Sequence, residues 1–540
     1  MKTYLKYDII KPIKKRLWRL LVAHKKQLVF IMTDTQRWDM VNCYKETGLS
    51  TPCLDALAAD GVRFERAYTT QPVCGPARAG LFTGTYPSWN GSWANGMALG
   101  DNVKTIGQRL SDNGIKCAYI GKWHLDGSDY FGNGFCPEGW DEEYWYDMRT
   151  YLYELSEDDR VKSRSRKTMN FEDIPDDFTY GYRVMKRAVD FMEKHKDEDY
   201  FLVVSFDEPH GPHLCPEPYA SMYKKYEFPK NPAVWDTLEG KPEHQKVWAA
   251  ARGNVEMDRD ELKIKSPYLF GCNSYADHLI GEVVKCVPDS AMIMYTSDHG
   301  DLLQSHCLFA KGPAAYDDVA RIPFIVRHPE GERGAVYSKH PVSHISVCPT
   351  VMEFFGLPIP KVLQGESILS ACIDTNAEAP ELAFIEFTRF EQDHDNYGGF
   401  QPMRAVTDGR YKLVINLLSG DEFYDLEKDP YELNNLIDSE KYAAERDRLH
   451  DAILDRMCLQ RDPFRGYYWD NRPWRRDADA PSWKYRGYTR QRENEEYEPR
   501  QLDYANGLPM KHPQRRKSGD EPGKFKSIEH LIEYLKHYDD

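Results

Sequence analysis

Four short apolar runs in this chain each stop on an acid, a lysine or a histidine. That repetition constrains the fold more than any other feature. The runs are LVFIMTD at 28–34, KCAYIGKWH at 116–124, YFLVVSFDEPH at 200–210 and AMIMYTSDHGD at 291–301. A fifth, IPFIVRHP, follows at 322–329. Runs of this length without polar alternation suit strands buried on both faces. Helix-like stretches lie between them at 51–60, 105–113, 182–195 and 274–285. Strands alternating with helices predict an α/β architecture, a large mixed, mostly parallel sheet sandwiched by helices. Ligands of such sheets bind beyond the carboxyl ends of the strands. Here those ends carry Asp34, then Lys122 with His124, then His210, then Asp298 with His299.

Past about residue 375 the texture changes to short strand-like runs with turn punctuation, followed by an amphipathic helix, YAAERDRLHDAILDRMCLQ. The expected organisation is a basic extension at 1–26, a catalytic α/β domain at 27–374, a smaller subdomain with a short antiparallel sheet and a helix at 375–460, and a tail at 461–540. The tail is dense in Arg and aromatic residues, so it is expected to wrap the body, and it could pair subunits. In the extension the apolar run is short, is interrupted by Arg19 and lacks a small-residue cleavage site, so no signal peptide is expected. No run approaches membrane-spanning length. Twelve cysteines are scattered without a CxxC pair. That suits reduced thiols and a cytoplasmic protein better than a disulfide framework. The formal net charge of −15 argues against a nucleic-acid partner.

One cysteine stands apart. In VCGPARAGLFTG, at 73–84, Cys74 precedes Pro76 by two residues and Arg78 by four. Proline is favoured in a first helical turn, so Cys74 is expected at a helix N-terminus, where the dipole favours an anion. Arg78 then shares its face. Most lone cysteines simply pack a helix start, but the Pro, Arg and small-residue spacing favours a reactive position. Asp34, Asp298 and His299 together suit a hard divalent cation, although each Asp alone could be a helix cap. Arg78, Lys122, His124, His210, His213 and Lys311 could hold a tetrahedral oxyanion, with a histidine as proton donor to a leaving group. His213 ranks below the others, as a loop histidine.

These stretches resemble a known family. CGPAR followed by LFTG is similar to the C-x-P-S/A-R … TG signature of the formylglycine-dependent (type I) sulfatases of the alkaline phosphatase superfamily. GIKCAYIGKWH resembles their second signature, DEPHGPH their substrate loop, and TSDHGDLLQSHCLFAKG their metal-and-lysine segment. Later landmarks, among them EFYDLEKDPYELNNL, carry the likeness to about residue 460. The tail's RPWR is shared with some bacterial members that lack signal peptides.

The resemblance implies an alkaline-phosphatase-like fold and a sulfuric ester hydrolase. Cys74 would be oxidised to formylglycine (3-oxoalanine) by a maturation enzyme that reads C-x-P-x-R. Asp34, Asp298, His299 and an oxygen of modified Cys74 would bind one divalent cation, with Ca²⁺ the first expectation and Mn²⁺ or Mg²⁺ the alternatives. Arg78 and His124 would orient the aldehyde hydrate, Lys122 and Lys311 would hold sulfate oxygens, and His210 would protonate the leaving group. The expected substrate is a sulfate ester of a carbohydrate or of a small or aryl alcohol. Thr35 stands where many members carry a second acid, and His299 where Asn is common. Both are similar to relatives that hydrolyse phosphonate monoesters and phosphodiesters, which is the alternative activity. A non-catalytic scaffold is the remote one. Arg389, His394 and Arg475 are candidates for substrate specificity.

Overall fold

The computed structural model describes residues 25–127, 130–164, 174–251, 257–389, 400–478 and 507. The expected N-terminal extension up to residue 24, His394 and most of the tail lie outside the described residues. A seven-stranded sheet runs in the order Lys116–Gly121, Tyr200–Ser205, Gln27–Thr33, Met292–Ser297, Phe324–Arg327, Val62–Phe64, Ala335–Tyr337. The first four strands are mutually parallel, and Phe324–Arg327 is antiparallel to both its neighbours. The sheet is therefore mixed and mostly parallel, as the apolar runs predict.

All seven residues of Gln27–Thr33 are buried. Leu28, Phe30 and Met32 join one apolar cluster, and Val29 and Ile31 join another on the opposite face. A strand alternates its side chains between faces, so helices must cover both. Cys74–Thr83, Ile106–Ser111 and Val347–Phe355 contribute to the first cluster. Pro52–Ala59, Tyr180–Lys194 and Pro267–Cys286 contribute to the second. The last of these begins seven residues before the expected 274, because Pro267 opens its first turn.

The register decides where the strand ends meet. Met32 and Gly121 both align with Ser205, and Thr33 aligns with Ser297. The residues that follow, Asp34, Lys122 and Asp298, therefore leave the sheet at one level.

A four-stranded antiparallel sheet, Ala383–Arg389, Phe400–Thr407, Tyr411–Asn416 and Glu422–Asp425, follows in chain order. Helix Ala443–Gln460 packs on it through Leu449, Ile453 and Met457. The first stretch of the tail is anchored there: Arg472 pairs with Asp421 at 2.7 Å, and Trp474 Nε1 donates to the same carboxylate at 2.8 Å. A buried ammonium ties the C-terminal sheet to the short helix Asp317–Ala320 and the loop before it. Lys412 Nζ meets Asp317 at 2.6 Å, Glu432 at 2.8 Å and the carbonyl of Ala315 at 2.9 Å. Lys412→Met leaves the buried Glu432 carboxylate without its cation and Asp317 with only Arg321, at 3.8 Å. The expected loss is about 3–5 kcal/mol of unfolding free energy, read from urea denaturation. A loss under about 1 kcal/mol would show that the network adds nothing. Among the described residues, no helix is long and apolar enough to cross a membrane.

Candidate active site

The helix Cys74–Thr83 begins directly at the cysteine, with Val73 extended before it, and all ten of its residues are buried. Small residues allow that burial. A Cβ on Gly80 would lie 2.4 Å from Thr70 Oγ1. Gly121 does the same for the neighbouring strand end. It has φ +123°, and a Cβ there would lie 1.9 Å from the Ser205 carbonyl oxygen. That conformation, open to glycine, turns Lys122 inward.

Arg78, one turn after Cys74, is fully buried and ties the centre together. Its Nε meets Asp298 at 3.2 Å and its Nη2 meets Asp34 at 3.0 Å. Nη1 donates to the Lys122 carbonyl at 2.7 Å and to Ser205 Oγ at 2.8 Å. Lys122 Nζ bridges Asp34 at 2.8 Å and Asp207 at 2.9 Å. Cys74 Sγ lies 3.5 Å from Asp34 Oδ1 and 3.3 Å from His299 Nε2, and Lys311 Nζ touches both the thiol and that nitrogen. His210 stacks on Tyr130, its Nδ1 lying 2.9 Å from the Gly211 carbonyl and 3.0 Å from the Tyr130 hydroxyl. His124 lies edge-on to the other side of that ring system, 5.5 Å between centroids. Its Nδ1 is buried without a hydrogen-bond partner among the described residues.

The charges respond to one another. Burial raises the Cys74 thiol and Asp34 adds to that, but Lys311, Lys122 and His299 outweigh both and bring it down to about 7. Burial and the neighbouring Asp34 carboxylate push Asp298 up to about 7. Asp34 is itself buried, yet the Lys122 ammonium, with Lys311 and Arg78, holds it well below the usual carboxylate range. Burial and the Lys122 charge keep His210 neutral, down to about 3, and depress His124 likewise.

One donor atom from each of Asp34, Cys74, Asp298 and His299 can be chosen so that all four lie within 4.8 Å of one another. This set fits a divalent cation. It offers two carboxylates and an imidazole whose Nδ1 is 2.8 Å from the Gly300 carbonyl, which leaves Nε2 as the lone-pair donor. The two carboxylates, both fully buried, lie close enough for one cation to bridge them. Thr35 does not replace the missing second acid here. Its hydroxyl donates to Asp34 at 2.7 Å and its N–H to Asp298 at 3.0 Å, so it orients the two carboxylates.

A cavity of about 630 Å³ opens in front of these groups, lined in part by Thr35, Tyr130, His210, His213 and Lys311. Five of the eleven described non-glycine residues with positive φ line it: Thr35, His213, Leu303, Gln304 and Ala310. Strain of this kind gathers where structure serves a site.

The structure thus brings Asp34, Cys74, Arg78, Lys122, Asp298, His299 and Lys311 into direct contact, with His124 and His210 beside them. Arg389 and Arg475 do not line the cavity. Arg475 instead pairs with Asp451 at 2.8 Å, because the described start of the tail lies against the C-terminal helix. Sequence reasoning passed over Asp207 and Tyr130. Asp207 follows a buried strand as Asp34 and Asp298 do, so the same rule applied there finds it. Tyr130, in a Gly-rich loop, carries no such signal.

The Sulfatase family profile matches residues 26–357, and a profile described as N-sulphoglucosamine sulphohydrolase, C-terminal, matches 305–458. The chain is 43% identical over 495 residues to the uncharacterized sulfatase YidJ of Escherichia coli (strain K12), spanning 90% of this chain and 97% of that protein. Among solved structures, one in complex with its substrate D-glucosamine-2-N,6-O-disulfate superposes with a TM-score of 0.65 at 19% identity, covering 82% of this chain and 99% of that one. The phosphonate monoester hydrolase of Agrobacterium radiobacter superposes with a TM-score of 0.65 at 21% identity, covering 80% and 95%. Both likenesses establish the alkaline-phosphatase-like fold.

Proposed function

The chain belongs to the sulfatase family of sulfuric ester hydrolases, and from that membership we propose that it cleaves a sugar sulfate through a formylglycine made from Cys74, beside a divalent cation. The observation that carries this reading is the clustering of Cys74 with Asp34, Asp298 and His299 at the mouth of a buried helix. Cys74 is 1% exposed, so a maturation enzyme must reach Cys74, Pro76 and Arg78 before the chain closes over them. All twelve cysteines are free, which supports a cytoplasmic location.

The formylglycine hydrate would supply a geminal diol, one hydroxyl to take the sulfuryl group and a second to expel sulfate. The cation, held by Asp34, Asp298, His299 and an oxygen in place of Cys74 Sγ, would supply Lewis acidity. The carboxylate pair favours Ca²⁺, and the imidazole also admits Mn²⁺. The remaining chemistry falls to the chain's own side chains. Lys122 and Lys311 offer ammonium groups to the ester oxygens. Arg78 locks Asp34 and Asp298 in place. His210, its Nδ1 held by Gly211 and Tyr130, turns Nε2 toward the leaving alcohol as the acid. Burial keeps it neutral in the free enzyme, so the substrate's negative charge is what raises its proton affinity. His124 orients the diol. The cavity is of a size to take a sugar ring.

Thr35 and His299 favour a second reading, a phosphonate monoester or phosphodiester hydrolase with the same machinery. Two measurements decide. Peptide mass spectrometry of the protein from its native host should find the Cys74 peptide lighter by about 18 Da, CH₂SH having become CHO. Kinetics on nitrophenyl sulfate and phenyl phosphonate esters should then favour sulfur. A preference of orders of magnitude for phosphorus, or an unconverted Cys74, sinks the proposal. Adding Ca²⁺ to chelator-treated protein should raise its melting temperature, since a ligand of the folded state stabilises it; no rise at saturating Ca²⁺ or Mn²⁺ would remove the cation.

Tyr130→Phe deletes the hydroxyl that joins Asp207 and His210 and keeps the ring that lies 4.2 Å from Lys122 Nζ. We expect kcat to fall about tenfold with KM little changed. An unchanged kcat would show the hydroxyl to be idle.

A further inference from the structure

The cavity holds more positive charge than one sulfate ester uses. Lys122 and Lys311 answer the ester itself. The described lining adds three cations, Arg164, Lys263 and Lys265, against one carboxylate, Asp301, in a chain of formal net charge −15. Lys263 and Lys265 flank buried Ile264, which bridges to Phe228. Residues two apart in an extended segment share a face, so both ammonium groups stand together. They share one Glu227 oxygen, at 3.3 and 3.1 Å, and remain 58% and 48% exposed. One carboxylate leaves that pair with net positive charge. Arg164 closes the helix Glu157–Arg164. Its guanidinium lies 5.6 and 5.1 Å from the ring centroids of Tyr130 and Phe131. Among the described residues it has no carboxylate within ion-pair distance.

Resting on the sulfatase reading, we infer that the substrate is a sulfate ester bearing a second anionic group, a sulfate or a carboxylate, which Arg164, Lys263 and Lys265 bind while the scissile ester meets Cys74. Arginine held against aromatic rings keeps its donor fork directed at an anion at low entropic cost, and the paired lysines add charge without fixed direction.

The test compares three sugars with one scissile ester: N-acetyl-D-glucosamine 6-O-sulfate, D-glucosamine 2-N,6-O-disulfate and N-succinyl-D-glucosamine 6-O-sulfate. Affinities are measured by calorimetry on the full-length Cys74→Ala protein. We expect at least one doubly charged sugar to bind about tenfold or more tightly than the N-acetyl sugar. That advantage should shrink in about 0.5 M NaCl and vanish when Arg164→Gln, Lys263→Gln and Lys265→Gln are combined. The better of the two charged sugars identifies the second group as sulfate or carboxylate. Equal affinities, absence of binding by both charged sugars, or an advantage that survives the triple substitution overturns the inference. Binding is read without turnover, so failure of the unsubstituted enzyme to hydrolyse any sulfate ester counts against the sulfatase reading alone.

Discussion

Cys74→Ala is expected to remove turnover, by about 10⁴-fold or more in kcat/KM, and to leave the melting temperature close to that of the unsubstituted protein. The two halves of that result come from different neighbours. Turnover depends on the atom at this position, because Cys74 Sγ touches Asp34, His299 and Lys311, whereas the nearby Thr35 hydroxyl is already donated to Asp34. Stability does not, because the sulfur faces charged groups and not the core. Its contacts are an ammonium, an imidazole and a carboxylate, and the neighbouring apolar cluster takes Ala79, Leu81 and Phe82 from the same helix without it. A methyl group in its place loses little buried apolar contact. Normal turnover in this variant would refute the nucleophile assignment. A large drop in melting temperature with activity otherwise explained would return Cys74 to the role of a packing residue.

Arg78 is expected to behave in the opposite way, with loss of both stability and activity. Its guanidinium reaches two buried carboxylates, a backbone carbonyl and a serine hydroxyl at once. Asp298 and Asp34 hold it protonated against the pull of burial. Arg78→Ala leaves Asp298 without this partner, and the expected cost is about 3–5 kcal/mol of unfolding free energy, with turnover reduced beyond detection. Arg78→Lys should recover less than half of that cost, since one ammonium cannot satisfy a planar fork with four acceptors. Saturating Ca²⁺ or Mn²⁺ should recover part of it, because a cation between the carboxylates offsets the same excess charge. Chemical denaturation with and without metal measures each term. Full rescue by lysine would mean that the geometry of the fork is irrelevant, and a loss below about 1 kcal/mol would mean that the two carboxylates are held by other groups.

Much of this site is legible in the chain because it uses local grammar. Asp34, Lys122 and Asp298 each follow an unbroken apolar run, and Cys74 and Arg78 share a motif with proline at helical spacing. His210 lies in the loop after the third run. Two kinds of residue escape that grammar. Asp207 obeys the strand-end rule but sits beside a histidine that draws attention first. Tyr130 obeys no local rule. It matters because its ring lies under Lys122 and against His210, residues that precede and follow it by stretches of unrelated sequence. Arg475 fails in the other direction. It is a polar residue in an aromatic tail, equally suited by sequence to a substrate or to a surface, and the tail's anchorage through Arg472 and Trp474 assigns it to the C-terminal helix.

The sequence by itself determined the class of fold, the strand ends that carry acids, lysine and histidine, and the position of Cys74 at a helix mouth. Each depends on burial periodicity, helix-start preference and side-chain type, which act over a few residues. Only the tertiary structure decided how those ends combine. The alignment of Met32 and Gly121 with Ser205, and of Thr33 with Ser297, brings residues more than two hundred positions apart to one level. It also decided that Thr35 braces two carboxylates, that Asp207 anchors Lys122, and that the cavity gathers cations in an acidic chain. Those outcomes depend on sheet register and on charge summed through a buried volume, and neither quantity is a property of any short stretch of sequence.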